Sequence, residues 1–155
     1  MSKKQLIRPA AYTLVIRDQS LLLCRMCLPE PNNGRWTLPG GGLDFGESPT
    51  KGAVRETFEE AGINVKLGEL AEIQSQHFVY PDKEMHALRF VYRVESWTGE
   101  IRDEADGSTD TCDFIPLELA MSGAAHPKYG LIRMVPLARR GFELAFGTRL
   151  KRPGS

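Results

Sequence analysis

The chain has 155 residues, 41% of them hydrophobic and 26% charged, the profile of a single globular domain long enough to bury a core of its own. Twenty Lys and Arg balance twenty Asp and Glu, so the formal net charge is zero. That balance argues against binding to nucleic acid or membrane through bulk positive charge.

Lys3, Lys4 and Arg8 precede an apolar run over residues 10–16, too short for a membrane span or the apolar region of a signal peptide. Residues 10–16 and 21–24 flank a polar turn and read as a hairpin of buried strands. Cys24 and Cys27 have C-x-x-C spacing, yet no second pair exists to complete a zinc site, and residues three apart on a strand face opposite ways. With Cys112 they are expected to be structural thiols in a reducing, cytoplasmic setting. Residues 29–34 form a loop rich in Pro and Asn. Trp36, Thr37 and Leu38 are extended until Pro39 and three glycines stop them.

The clearest helix follows. Ser48 suits the N-cap, Pro49 the first turn and Gly62 the C-terminal cap. Val54, Phe58 and Ala61 recur at i, i+4 and i+7 as an apolar stripe expected to face the core. Strands are expected over residues 70–78 and 86–95, a turn at Trp97, Thr98 and Gly99, an acidic loop over 103–110, and renewed apolar chain at Phe114. Residues 127–146 read as one or two helices broken at Pro136, followed by a frayed tail. The mixture predicts an α/β (α+β) sandwich, with one domain over residues 1–147 and a flexible tail over 148–155.

The helix carries an anomaly. Glu56 and Glu60 share a face, with Glu59 on an adjacent line, and two of the three crowd the C-terminal end, where the helix dipole disfavours negative charge. A divalent cation would offset the repulsion, since Mg²⁺ prefers carboxylate oxygens and keeps places for water and phosphate. A solvated acidic face, with Arg55 and Glu59 as an i, i+4 ion pair, is the plainer alternative. Upstream, Leu38-Pro39-Gly40-Gly41-Gly42 leads through Asp44 and Glu47 into the helix. Such glycines allow close approach of backbone to a ligand, or simply a strand-to-helix turn.

Taken together, Gly41, five residues, Glu47, seven residues and then Arg55-Glu56-Thr57-Phe58-Glu59-Glu60-Ala61-Gly62-Ile63 resemble the Nudix box. All seven positions of fixed identity match, and Ile63 supplies the closing aliphatic residue. Thr57 departs from the bulky aliphatic residue usual there. The resemblance covers 23 of the 155 residues, and the Trp36 to Gly40 flank is also similar to the family.

The resemblance implies a Nudix-type mixed β-sheet sandwiched between helices, and hydrolysis of a phosphoanhydride in a nucleoside diphosphate linked to another moiety. It implies Mg²⁺ or Mn²⁺ as cofactor, with Glu56, Glu59, Glu60 and the Gly40 carbonyl as ligands. Arg55 would orient the carboxylates, and Glu47 would have a lesser metal or structural role. A carboxylate must also accept a proton from water. Besides the box, the downstream loop offers Asp103, Glu104, Asp106 and Asp110, with Asp110 the first expectation and Glu104 the second; an acidic loop without a role is the alternative.

Tyr80 lies 17 residues past the box, where the resemblance hints at dinucleoside polyphosphates, and Pro81 stands only near a position used by ADP-sugar hydrolases. Phe78 and Tyr80, with Tyr12, could stack on a base or belong to the core. His77, His86 and His126 have no ligand spacing. Arg149, Lys151 and Arg152 could meet RNA or polyphosphate or be a solvated tail. The expected partner is a small-molecule nucleotide, without membrane or bulk nucleic-acid binding; homodimerisation is left open. Two other functions fit the same residues: a nucleotide-sensing module that has lost catalysis, and a pyrophosphohydrolase of RNA 5′ ends.

Overall fold

In the computed structural model of the protein, the described residues are 3–104 and 107–151. Two sheets lie between helices. The first has strand order β5-β1-β7-β6, built from β1 (Lys4–Leu14), β5 (Gly40–Gly42), β6 (Asn64–Val79) and β7 (Lys83–Thr98). Its β1 and β7 run parallel and its other pairs antiparallel, so the sheet is mixed. In the second sheet β3 (Ser20–Met26) pairs with β2 (Ile16–Arg17), β4 (Trp36–Thr37) and β8 (Thr109–Pro116).

The continuous apolar run of β3 is explained by burial on both faces. Leu21 and Leu23 enter one core with Trp36, Leu38 and Phe142, whereas Leu22 and Cys24 enter another with Ala61, Ile63 and Phe114. Helix α3 (Pro136–Phe146) closes the first core, and α1 (Pro49–Ala61) packs its Ala53 against Ala11 and Tyr92. A short α2 (Leu117–Ser122) follows β8. Among the described residues no helix is long and apolar enough to cross a membrane.

Several local expectations change. The first hairpin shrinks to the pairing of Ile16 and Arg17 with Leu21 and Ser20, because β1 leaves to join β7 in the other sheet. Gly40–Gly42 is a strand, pairing with Tyr12, Ala11 and Ala10. Residues 127–135 are not helical; the helix starts at Pro136, where a proline's missing N–H costs nothing. Strands β6 and β7 are longer than expected, and β7 runs through Trp97 and Thr98. In the segment 148–155, Leu150 is buried and its N–H donates to Glu143, so the chain folds back onto α3 as far as it is described.

The cysteine expectation is also corrected. Cys24 and Cys112 stand directly opposite each other on β3 and β8 and are joined by a disulfide, leaving Cys27 free and exposed. A cross-strand pair 88 residues apart has no spacing signal, and the cysteine count therefore no longer indicates a compartment.

Candidate metal and substrate site

Helix α1 begins and ends where its caps predict. The Ser48 hydroxyl accepts the Lys51 N–H at 3.3 Å, and Gly62, at φ 80°, returns its N–H to the Phe58 carbonyl. Its buried face keeps only part of the expected stripe: Ala61 is buried and Val54 packs against the same core. Gly52, Ala53, Thr57, Glu60 and Ala61 point inward, while Phe58 is exposed and covered by the Arg102 guanidinium 5.4 Å from its ring centre. Small residues let the helix lie close to the sheet, and this close seat carries Glu60 inward. Thr57 fits there because its hydroxyl donates to the Ala53 carbonyl at 2.8 Å and accepts from Thr13, also buried, at 2.8 Å.

Arg55 is the hub of the helix. Its Nε and Nη2 each reach a Glu47 oxygen at 2.8 Å, its Nη1 reaches Glu56 at 3.0 Å and Glu59 at 3.2 Å, and Nη2 also donates to the Gly42 carbonyl. Paired with this guanidinium and accepting the Asp44 N–H, the Glu47 carboxyl is held down at about 2. Arg55 itself is shifted upward, chiefly by Glu47. This fork presents carboxylates from two elements in fixed orientation, which a flexible ammonium could not do.

Glu60 is different. It is 3% exposed, and its one partner among the described residues is the Gly40 N–H, 3.3 Å from Oε2. Desolvation pushes its carboxyl up to about 9, with Glu56 and Glu104 adding like charge. Glu56 is also raised, by burial, against the pull of Arg55. A buried carboxylate with like-charged neighbours and no cation of its own suits a divalent ion. The glycine strand makes room: a Cβ at Gly41 would stand 3.0 Å from the Glu56 carboxyl, and one at Gly40 (φ 148°) would collide with the Ala11 carbonyl and the Tyr12 ring. The described residues hold no three acids already gathered as a closed cage, because Arg55 draws Glu56 and Glu59 to itself.

These carboxylates border a cleft of about 560 Å³. Glu56, Glu60 and Gly40 line it, as do Phe78 and Tyr80, whose rings stack 6.2 Å apart; Glu59, 48% exposed in its side chain, lies outside it. Tyr12 is largely core. A larger open groove between α3 and the chain near Leu150 contains none of the box residues.

The acidic loop is sorted differently from the expectation. Asp110 is held by Arg25 through two hydrogen bonds, at 2.8 and 3.2 Å, and does not line the cleft. Glu104 accepts from the Thr109 hydroxyl at 3.0 Å and, among the described loop carboxylates, is the one whose charge reaches both Glu56 and Glu60. Spacing could not separate the two, because the difference lies in the cross-strand position of Arg25. Asp106 and Arg152 lie outside the described residues. The histidines are engaged elsewhere: His86 with Ser75, His77 near Glu84, and His126 with the N–H groups of Lys128 and Tyr129. Arg8, Arg35 and Arg89 also line the cleft, and no sequence signal marked them.

A NUDIX domain model matches residues 6–135. A MutT-like protein of Streptomyces ambofaciens is 40% identical over 95 residues, covering 61% of this chain and 56% of that protein. Human diphosphoinositol polyphosphate phosphohydrolase 3-alpha is 42% identical over 89 residues, 54% of this chain and 49% of the relative. The chain spans about half the length of the curated relatives it matches. Among solved structures, a MutT NUDIX hydrolase from Burkholderia pseudomallei has a TM-score of 0.71 at 22% identity, covering 89% of this chain and 97% of that one. That likeness is one of fold.

Proposed function

This chain belongs to the Nudix hydrolase family, and from that premise we propose that it is a Mg²⁺- or Mn²⁺-dependent pyrophosphohydrolase of a nucleotide or nucleotide derivative. The observation that carries the reading is Glu60, a buried carboxylate beside Glu56 without a cation of its own, at the edge of a cleft sized for a small molecule. Glu56 and Glu60, with Glu59 and the Gly40 carbonyl, would hold the ion. When bound, it supplies charge neutralisation at the diphosphate and favours ionisation of water.

The protein's own groups do the rest. Arg55 holds Glu56 and Glu59 in place, and Glu47 fixes Arg55 in turn. Glu104, placed by Thr109 within electrostatic reach of the two inner carboxylates, takes the proton from the attacking water. The water oxygen forms a new P–O bond as the bridging P–O bond breaks, and the leaving phosphate carries away the electron pair. Phe78 and Tyr80 offer aromatic faces to a base.

One relative is a diphosphoinositol polyphosphate phosphohydrolase, so diphosphoinositol polyphosphates join nucleotides in the substrate panel. Purified protein incubated with that panel, with and without Mg²⁺ or Mn²⁺, should release phosphate or pyrophosphate only with metal, the products identified by mass. Glu60→Gln should abolish release. A panel inert with both metals, from which nucleotide is still bound, would favour a sensing role instead; cleavage confined to triphosphorylated RNA would assign the 5′-end activity.

A further inference from the structure

We propose that Arg8, Arg35 and Arg89 form a second anion site in the cleft, taking a substrate phosphate other than the diphosphate hydrolysed at Glu56 and Glu60. The proposal rests on the reading of the cleft as a diphosphate-hydrolysing site. Arg8 on β1 pairs in register with Ala87, and Arg89 on β7 with Ala10. The two arginines therefore sit two residues apart on the same face of adjacent strands. Arg35 approaches from the turn that precedes β4 in the other sheet.

Several arginines of this molecule are engaged elsewhere. Arg25, Arg55, Arg93 and Arg140 have carboxylate partners, and Arg17 and Arg102 lie over aromatic rings, as does Arg89, 5.6 Å from the ring centre of Phe78. Among the described residues, Arg8, Arg35 and Arg89 have no carboxylate partner. Arg89 donates through Nη1 to Gln76 at 2.9 Å, while the Nε atoms of Arg35 and Arg89 are buried without any hydrogen-bond acceptor. Buried N–H donors left unpaired are costly and rare, and both residues that carry them line the same cleft.

The charge in the cleft is divided. Its only acidic lining residues among those described are Glu56 and Glu60, and its only basic ones are the three arginines. The two sets flank the glycine strand: a Cβ on Gly41 would touch Glu56 on one face, and a Cβ on Gly42 would stand 3.3 Å from Arg8 Nη2 on the other. Phosphate matches this arginine set, since a guanidinium presents forked donors to its oxygens. The substrate class is therefore a diphosphate carrying additional phosphate, either along the same chain or as a monoester on the sugar.

The test is equilibrium binding by calorimetry to the full chain in EDTA, with two ligand comparisons. Coenzyme A against dephospho-coenzyme A probes the sugar phosphate, and adenosine 5′-tetraphosphate against ADP probes the longer chain. Binding at least tenfold tighter for the more phosphorylated member in either comparison is expected, and raised KCl should weaken it. The preference should disappear in both Arg35→Gln and Arg89→Gln and persist in Arg149→Gln, which lies outside the cleft. Arg35→Lys and Arg89→Lys, which keep charge without the fork, should lose part of it and serve where a Gln variant does not fold. Equal binding within both comparisons, or a preference that survives in the Arg35 and Arg89 variants, overturns the proposal. Hydrolysis with Mg²⁺ is scored separately. Failure there with the preference intact refutes the pyrophosphohydrolase reading alone, and hydrolysis without the preference refutes the arginine site alone.

Discussion

Replacing Glu60 by Gln should stabilise the metal-free protein at neutral and alkaline pH while removing its response to metal. The folded-state pKa of Glu60 is raised from its ordinary 4.5 to about 9. The folded protein therefore keeps a proton that the unfolded chain has released, and the resulting stability is fully present below pH 4.5 and lost as pH rises towards 9. At pH 7.5 the burial of this group costs up to three pKa units of about 1.36 kcal/mol each, or about 4 kcal/mol. Water entering the cleft reduces the figure to an expected ~2–3 kcal/mol. Gln stays neutral, and its carbonyl still accepts the Gly40 N–H, so the penalty is absent from the variant. For a domain of this size 1 kcal/mol moves Tm by about 2–4 °C. Calorimetric scans in EDTA between pH 5 and 9 should show the wild-type Tm falling by about 5–10 °C relative to Glu60→Gln. Added Mg²⁺ should restore the wild type and leave the variant unmoved. Parallel Tm profiles for the two proteins across that range would refute the reasoning, because they would mean that Glu60 ionises as if in water.

Arg55→Lys retains the charge but cannot hold Glu47, Glu56 and Glu59 at once, so kcat/KM should fall about 10–100-fold in steady-state assays. Glu104→Gln should lower kcat by about 100-fold or more, and Asp110→Asn far less; the reverse order would return the base to Asp110. Thr57→Val should cost ~1–3 kcal/mol in urea unfolding by leaving the buried Thr13 hydroxyl unpaired, and the double variant with Thr13→Val should recover most of it. Gly46→Ala, at φ 82° with open space around it, should cost about 1–2 kcal/mol, whereas Gly40→Ala should cost well beyond that or fail to fold, because its Cβ meets backbone.

How far the residues alone could be read follows from the range of the forces involved. The caps of α1 were legible because Ser48, Pro49 and Gly62 act on backbone groups within a turn of themselves. The start of α3 was only half legible: Pro136 marked a boundary, but whether the preceding chain coils or turns depended on its bridge to Trp36 in another element. The inward face of α1 was misjudged because Phe58 is the more hydrophobic choice, yet the narrow gap above Ala11 admits only small residues. The disulfide and the pairing of Asp110 with Arg25 were not legible, since both depend on the register of β3 with β8.

The sequence by itself determined the family and the ordered set of carboxylates. The spacing of Glu47, Arg55, Glu56, Glu59 and Glu60 along one loop and helix is a local property, and helix geometry converts it directly into a shared face. Which of those acids is buried, which of the described loop acids stands near them and which arginines share their cleft are tertiary questions. Those questions depend on strands far apart in the chain meeting at one end of the sheets, where burial sets whether a charge is stable, paired or awaiting a ligand.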